Sequence, residues 1–385
     1  MKASRTLKMI GIALAASLLG ASMTAAMAQT QGPYKVGISA GLTGYAATLD
    51  RAWSDAVKLA ADTINTNGGI KGRKLEIIVE DNRSEPQEAV VVYRKMMSSD
   101  KVDIFVSGCV SAGNFAAAGI VARAKIPMVL CSILPPKEEE IKWAFSVLPP
   151  PRFDVEKRLE YLRDSTSIRS IGVIHDPSPY ANLQKVAVEK SAEAYGMKIV
   201  GIEQYKVDDA DLSVQISKLA AAGAGAILKI GVGGTTLTAA KNVKQLGLPT
   251  VMLFSQEDMV VFKPVAELLG DKFFFVATPS QVVDALPDGA LKTAITNFVV
   301  PWRAKYGDRD PNWAGRGWDA VFLMKAAIEK ADSFDGAKIR DAIENGAPLQ
   351  GTAGAYEMSP TNHQGITKNP FFVATIVDGK VKIVK

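Results

Sequence analysis

Ser111 is the residue whose setting most invites a chemical reading. It stands in Ser107-Gly108-Cys109-Val110-Ser111-Ala112-Gly113, small residues that follow the short apolar run 104–106. A helical pattern carrying Phe115, Ile120 and Val121 comes next. The first N–H groups of a helix have no intrahelical partners, and the helix dipole places partial positive charge there. With a hydroxyl added, such an edge suits a carboxylate or another anion. Two other readings compete. A nucleophilic serine on a strand-to-helix elbow needs G-x-S-x-G, whereas Gly108 lies three residues before Ser111. Its base would have to be His175, at a strand end, or His363, in the turn-like Pro360-Thr361-Asn362-His363, where a surface position is expected. The plain structural role for Ser111 is a helix N-cap. Elsewhere, Gly231-Val232-Gly233-Gly234-Thr235 lacks the ending of a phosphate loop and the full dinucleotide fingerprint, so it reads as a tight strand-to-helix turn. No Cys, His or carboxylate cluster has metal-ligand spacing, and no cofactor is called for.

An anion-binding edge of this kind must be held by strands. Residues 104–106 and 128–130 are each about strand length and bracket the helix, and Pro127 admits the second, which ends on Cys131-Ser132. In a parallel sheet, ligands sit in the crevice beyond the strand carboxyl ends. Cys109 and Cys131 are the two cysteines and fall at these ends. A disulfide and a pair of small buried thiols both fit that placement.

The same rhythm runs through the chain. Strand 35–39 leads to Gly41-Leu42-Thr43-Gly44-Tyr45, and Trp53, Val57, Ala60, Ala61 and Ile64 then repeat at helical spacing up to Asn67-Gly68-Gly69. Strand 75–79 and a helix from Pro86 complete this set. Glu138-Glu139-Glu140 reads as a solvated helix face, and Pro149-Pro150-Pro151 as a stiff linker at a domain crossing. Beyond it, a helix from Phe153 and strands 170–174, 198–203, 226–230, 250–254 and 272–278 alternate with helices. Longer helices follow at 289–306, 314–330 and 336–345. Asp378-Gly379 between two β-rich runs predicts a type I′ hairpin. Alternation of this kind predicts an α/β protein with parallel-type sheets flanked by helices.

Composition narrows the function classes. Lys2, Arg5 and Lys8, an uncharged stretch 9–23 and Ala26-Met27-Ala28 make a secretory signal peptide over residues 1–28, cleaved near Ala28, which implies the periplasm. Three of the 45 Lys and Arg lie there, so the remaining basic side chains nearly balance the 40 Asp and Glu. No basic stripe argues for nucleic acid.

Taken together, the chain resembles the periplasmic leucine/isoleucine/valine-type binding proteins of ABC importers, the type I two-lobed fold. The resemblance rests on Lys35-Val36-Gly37-Ile38 with Leu42-Thr43-Gly44, on Asn67-Gly68-Gly69-Ile70-Lys71-Gly72-Arg73-Lys74-Leu75, on Pro127, on Tyr180 after the Asp176 strand end, and on Trp318-Asp319-Ala320. It implies two discontinuous lobes, 33–149 with 275–350 and 150–274 with 351–385, joined by a hinge of three crossovers. It places the ligand carboxylate at Ser111, Ala112 and the loop after the next strand, with Ser132 and Leu134. Tyr45 belongs to the expected ligand set on the first lobe, and Tyr180 supplies the aromatic of the second. The acidic partner of a ligand ammonium maps to Gln256 or Glu257. Two departures stand out. Leu134 occupies a position where amino-acid binders of this family carry Thr, and no aromatic falls near Gly231–Val232. The resulting expectation is a monomeric, non-enzymatic solute-binding component that closes on a small carboxylate-bearing solute and hands it to a membrane permease. The departures favour an aromatic or aliphatic acid over leucine. The rivals are a ligand-sensing receptor module, which would carry a fused anchor or effector, and a Ser hydrolase.

Overall fold

Apolar runs of strand length pair as parallel ladders wherever helices carry the crossover. In the computed structural model of the protein, which describes residues 32–384, this produces two helix-flanked sheets. The signal-peptide reading falls outside the described residues. The first sheet holds β1 (Tyr34–Ala40), β2 (Leu75–Asp81), β3 (Ile104–Ser107), β4 (Met128–Leu130) and β5 (Ala144–Ser146), all parallel, in the order β2-β1-β3-β4-β5. Successive strand residues serve opposite cores. Ile104, Val106 and Val129 face the main core with Trp53 and Val57 of α1 (Ala47–Thr66). Phe105, Met128 and Leu130 face a second cluster with Tyr93 of α2 (Pro86–Lys95) and Val121 of α3 (Ser111–Ala124). The period of two along a strand is what divides them.

After α4 (Glu138–Ile141) the chain reaches the prolines. Pro151 opens α5 (Pro151–Ser165) as its first helical residue instead of ending a linker. A first-turn proline lacks only an N–H that has no partner there in any case, and its fixed φ already suits a helix. The second sheet then takes β6 (Ser170–His175), α6 (Pro179–Ser191), β7 (Lys198–Gln204), α7 (Ser213–Ala221), β8 (Ala226–Ile230), α8 (Gly234–Gln245), β9 (Val251–Phe254), α9 (Met259–Leu269) and β10 (Phe273–Ala277). Helices α10 (Ala290–Tyr306), α11 (Asn312–Ala331) and α12 (Gly336–Glu344) return towards α1 and the first sheet. A small hairpin, β11 (Leu349–Gly351) with β12 (Gly354–Tyr356), follows. Finally β13 (Phe372–Val377) and β14 (Lys380–Ile383) add antiparallel to β10, giving β14-β13-β10-β9-β8-β6-β7. Asp378 and Gly379 both have positive φ, 51° and 72°, as a type I′ turn requires.

Strand β10 lies wholly in the second sheet, while Tyr356 of β12 donates its hydroxyl hydrogen bonds to Asp319 (2.9 Å) and Val147 O (3.3 Å) on the first side. His363 departs from its expected surface position. It is buried, with Nδ1 against Ile141 O (2.8 Å) and Ala144 O (3.0 Å) and its ring stacked on Phe145. Two carbonyls and an aromatic face compensate the imidazole better than solvent does.

Candidate functional site

In both sheets the strand order reverses between two neighbours, β1 and β3 in the first and β6 and β8 in the second. The loops leaving such a pair diverge and open a crevice. Here the two crevices face one another across a cleft that is continuous with solvent. Tyr45, Ala46, Leu49, Cys109, Ser111 and Ala112 line one side, and Asp176, Ser178, Tyr180, Gly231 and Val232 the other, with Cys131, Leu148 and Trp313 completing the wall. The two edges come close at Gly233, where an added Cβ would stand 3.1 Å from Tyr45 O.

The first edge is built around a buried carboxylate. Asp50 of α1 accepts from Gly41 N–H (2.6 Å) and Cys109 N–H (2.6 Å), tying together the loops after β1 and β3. Burial pushes its carboxyl up to about 6, against the pull of those two N–H groups. A side chain on Gly108 would meet the Asp50 carboxylate at 2.7–2.8 Å, so close approach explains that glycine. Cys109 and Cys131 are joined as a disulfide, fastening the loops after β3 and β4. Ser111 is the first residue of α3, with Val110 in the cap position and no side-chain cap. The first intrahelical bond is Asn114 N–H to Val110 O (3.0 Å), so the N–H groups of Ser111, Ala112 and Gly113 precede the ladder.

The second edge is built around a buried cation. Lys229 of β8 donates to Gly231 O (3.0 Å), Thr236 Oγ1 (3.0 Å) and Thr235 Oγ1 (3.2 Å). Burial pulls its ammonium down, and the Asp176 and Glu257 carboxylates oppose that pull. Burial pushes the Glu257 carboxyl up. Gly231 has φ 109°, and a Cβ there would run into Asp176 Oδ2 and stand 2.5 Å from the Tyr205 hydroxyl. Only glycine fits that turn.

Tyr45, Ser111, Ala112 and Tyr180, named from the sequence, line the cleft. The other four take other places. Ser132 Oγ accepts from Asn114 Nδ2 (2.8 Å), and Leu134 packs on the outer cluster of α2 and α3. Gln256 accepts from Arg316, whose guanidinium lies over the Trp313 ring (4.6 Å), behind the wall. Glu257 accepts from Gly233 N–H (2.6 Å) and Asp258 N–H (3.0 Å). Neither histidine is among the lining residues, and His175 Nδ1 is turned to Asp176 O (2.8 Å). Trp313, Leu148 and Leu49 lacked a sequence signal, because each looks like ordinary core until the lobes are set opposite one another. Asp176 had one, since it directly follows strand β6 and lies three residues before Pro179, which starts the next helix. Among the described residues no group of three or more His, Cys, Asp or Glu side chains is placed to hold a metal ion.

Two helix-flanked sheets meeting at an apolar cleft, with the chain passing between them three times, define a type I two-lobed binding protein. The chain belongs to the periplasmic binding protein family, which residues 33–380 match. Over 312 residues it is 24% identical to the leucine-, isoleucine-, valine-, threonine- and alanine-binding protein of Pseudomonas aeruginosa, spanning 80% of this chain and 81% of that one. A solved extracellular ligand-binding receptor from Rhodopseudomonas palustris superposes with TM-score 0.83 at 23% identity, covering 92% of this chain and 100% of the other. A fatty acid ABC transporter substrate-binding protein from Thermomonospora curvata gives TM-score 0.77 at 21% identity, covering 92% and 94%. These solved structures show the fold.

Proposed function

We propose that this protein is the exported solute-binding component of an ABC importer, and that it captures a small carboxylate-bearing solute and delivers it to a membrane permease. The observation that carries the reading is the α3 N-terminus with Ser111 opening into a cleft walled largely by Leu49, Leu148, Val232, Trp313, Tyr45, Tyr180 and the disulfide, with Asp176 and Ser178 on the facing edge. A few polar donors in an apolar pocket orient a ligand while desolvation strengthens each contact. Ser111 and the N–H groups of Ser111 and Ala112 hold the carboxylate, Tyr45 and Tyr180 pack on the ligand body from opposite lobes, and the role is binding, not catalysis. The P. aeruginosa relative and the T. curvata neighbour are named for ligands that share a carboxylate. The protein acts as a monomer in the periplasm, and the two sheets with their helices rotate together about the three crossovers when ligand binds.

A thermal-shift screen of amino acids, aliphatic acids, aromatic acids and their uncharged amides tests this. Carboxylates raise the Tm and the matching amides do not. Equal shifts from acids and amides would remove the carboxylate anchor. Small-angle scattering then reads closure, and an unchanged radius of gyration at saturating ligand would count against rotation of the lobes.

A further inference from the structure

Lys229 occupies the middle of the second sheet with none of its surface exposed. An ammonium there is costly unless hydrogen-bonded and paired. Its three N–H groups are matched by three acceptors, Gly231 O, Thr235 Oγ1 and Thr236 Oγ1, and it stands 5.2 Å from the Tyr205 ring centroid. The two threonines belong to the first turn of α8, where the helix dipole opposes a cation. The hydrogen bonds of Lys229 all go to neutral groups, so the compensation acts at longer range, from Asp176 and Glu257, which flank the same turn: Lys229 holds Gly231 O, Asp176 packs against Gly231, and Glu257 accepts from Gly233 N–H.

Both carboxylates are already engaged. Glu257 accepts one backbone N–H on each oxygen, from Gly233 and Asp258. Asp176 accepts from Ser178 N–H (2.8 Å), and its other oxygen is packed against Gly231. Asp176 is the one carboxylate among the residues lining the cleft. A ligand ammonium entering here would compete with Lys229 for the same negative charge.

We propose that Lys229 is a resident ammonium that satisfies the acidic groups of the second lobe, so that the cleft selects apolar monocarboxylic acids carrying no ammonium of their own. This rests on the reading of Ser111 and the α3 N-terminus as the carboxylate anchor. The apolar lining takes the hydrocarbon or aryl body, and the resident cation removes the reward for an α-amino group.

Matched ligand pairs isolate that group: leucine against 4-methylpentanoate, and phenylalanine against 3-phenylpropanoate. Calorimetry on the full mature chain should show the des-amino member of each pair binding at least about 10-fold more tightly, the scale of one charge-assisted hydrogen bond. Lys229→Met removes the charge at similar length and should shrink this preference by about 10-fold or more by releasing Asp176 for a ligand ammonium. Lys229→Gln, which keeps a donor for Gly231 O, serves if the Met variant does not fold. Tighter binding of both amino acids by the wild-type chain would overturn the proposal without any variant, as would an unchanged preference in a folded Lys229 variant. If no member of either pair binds, or if Ser111→Ala leaves all affinities unchanged, the anchor reading falls and this inference falls with it. Tighter wild-type binding of the amino acids, with every affinity falling in Ser111→Ala, would sink the inference alone and leave the anchor standing.

Discussion

The two edges of the cleft have the same topology and opposite electrostatics. Each arises where the strand order reverses, β1 against β3 and β6 against β8, and each is built around a charged side chain buried behind its loops. In the first lobe that charge is Asp50, whose two oxygens draw in the N–H groups of Gly41 and Cys109. In the second it is Lys229, whose N–H groups take a carbonyl and two hydroxyls. Both devices convert a pair of diverging loops into a fixed edge, since a buried charge must be met on every side. The difference lies in what remains for a ligand. Asp50 binds the loops beside α3 and leaves the helix start free, whereas Lys229 sets a positive charge beside Asp176 and Glu257, which already accept backbone N–H groups. The first edge is left with the free N–H groups of the α3 start beside Tyr45 and Leu49, and the second with Tyr180 and Val232 beside an Asp176 already engaged.

Substitutions at the two edge glycines give the sharpest test of that contrast. Gly231→Ala combines a positive φ with a collision against Asp176, and should cost about 3 kcal/mol or more, read as a lower urea midpoint. Gly108→Ala meets only the Asp50 carboxylate and carries no φ penalty, so a smaller loss is expected. Equal losses would mean that the backbone conformation at Gly231 contributes nothing.

The disulfide belongs to the first edge alone. Replacing both Cys109 and Cys131 with Ser should lower stability by about 3 kcal/mol, the chain-entropy scale for bridging two residues 22 apart. Matching losses from the double substitution and from a reductant acting on the native protein would confirm the source. No loss in either would show that Asp50 suffices to hold the edge.

Ser111→Ala should weaken binding of the identified ligand by roughly 10- to 150-fold, corresponding to about 1.5–3 kcal/mol for a charge-assisted hydrogen bond. The same substitution should leave thermal stability of the free protein almost unchanged, because Ser111 caps nothing. Unaltered affinity would remove Ser111 from the site.

The smallest effect expected is on pH dependence. Burial raises the carboxyls of Asp50 and Asp319 to about 6 in the folded protein, above the unfolded value near 3.9. Their favourable contribution is therefore complete below the unfolded value and is lost as pH rises through about 6. Stability should climb between pH 7.5 and pH 5, by about 1 kcal/mol for each group over that window. Asp50→Asn should flatten the slope while itself costing about 1–3 kcal/mol, since an amide cannot accept from both Gly41 and Cys109. An identical slope in the variant would show that Asp50 does not titrate there.

Much of this architecture is local chemistry and can be read along the chain. The alternation of apolar runs and helical periodicity announces β1 to β4 with their helices, Asn67-Gly68-Gly69 stops α1, and Asp378-Gly379 turns the last hairpin. These signals depend on backbone preferences within a few residues of themselves, so sequence determines them. Ser111 is legible for the same reason, lying at a strand-to-helix junction, whereas Tyr180 is named through the family resemblance. The tertiary structure alone decided which residues meet across the cleft. Trp313 joins the wall from a helix far along the chain, and Leu134 and Ser132 turn away because a larger apolar cluster and the Asn114 amide hold them. The disulfide, one of two possibilities in sequence, is fixed by the adjacency of β3 and β4. Lys229 gave no sign in its own segment, where it is a single lysine in an apolar strand. Its role comes from Thr235, Thr236, Asp176 and Glu257, and only folding gathers these groups around a charge that water no longer reaches.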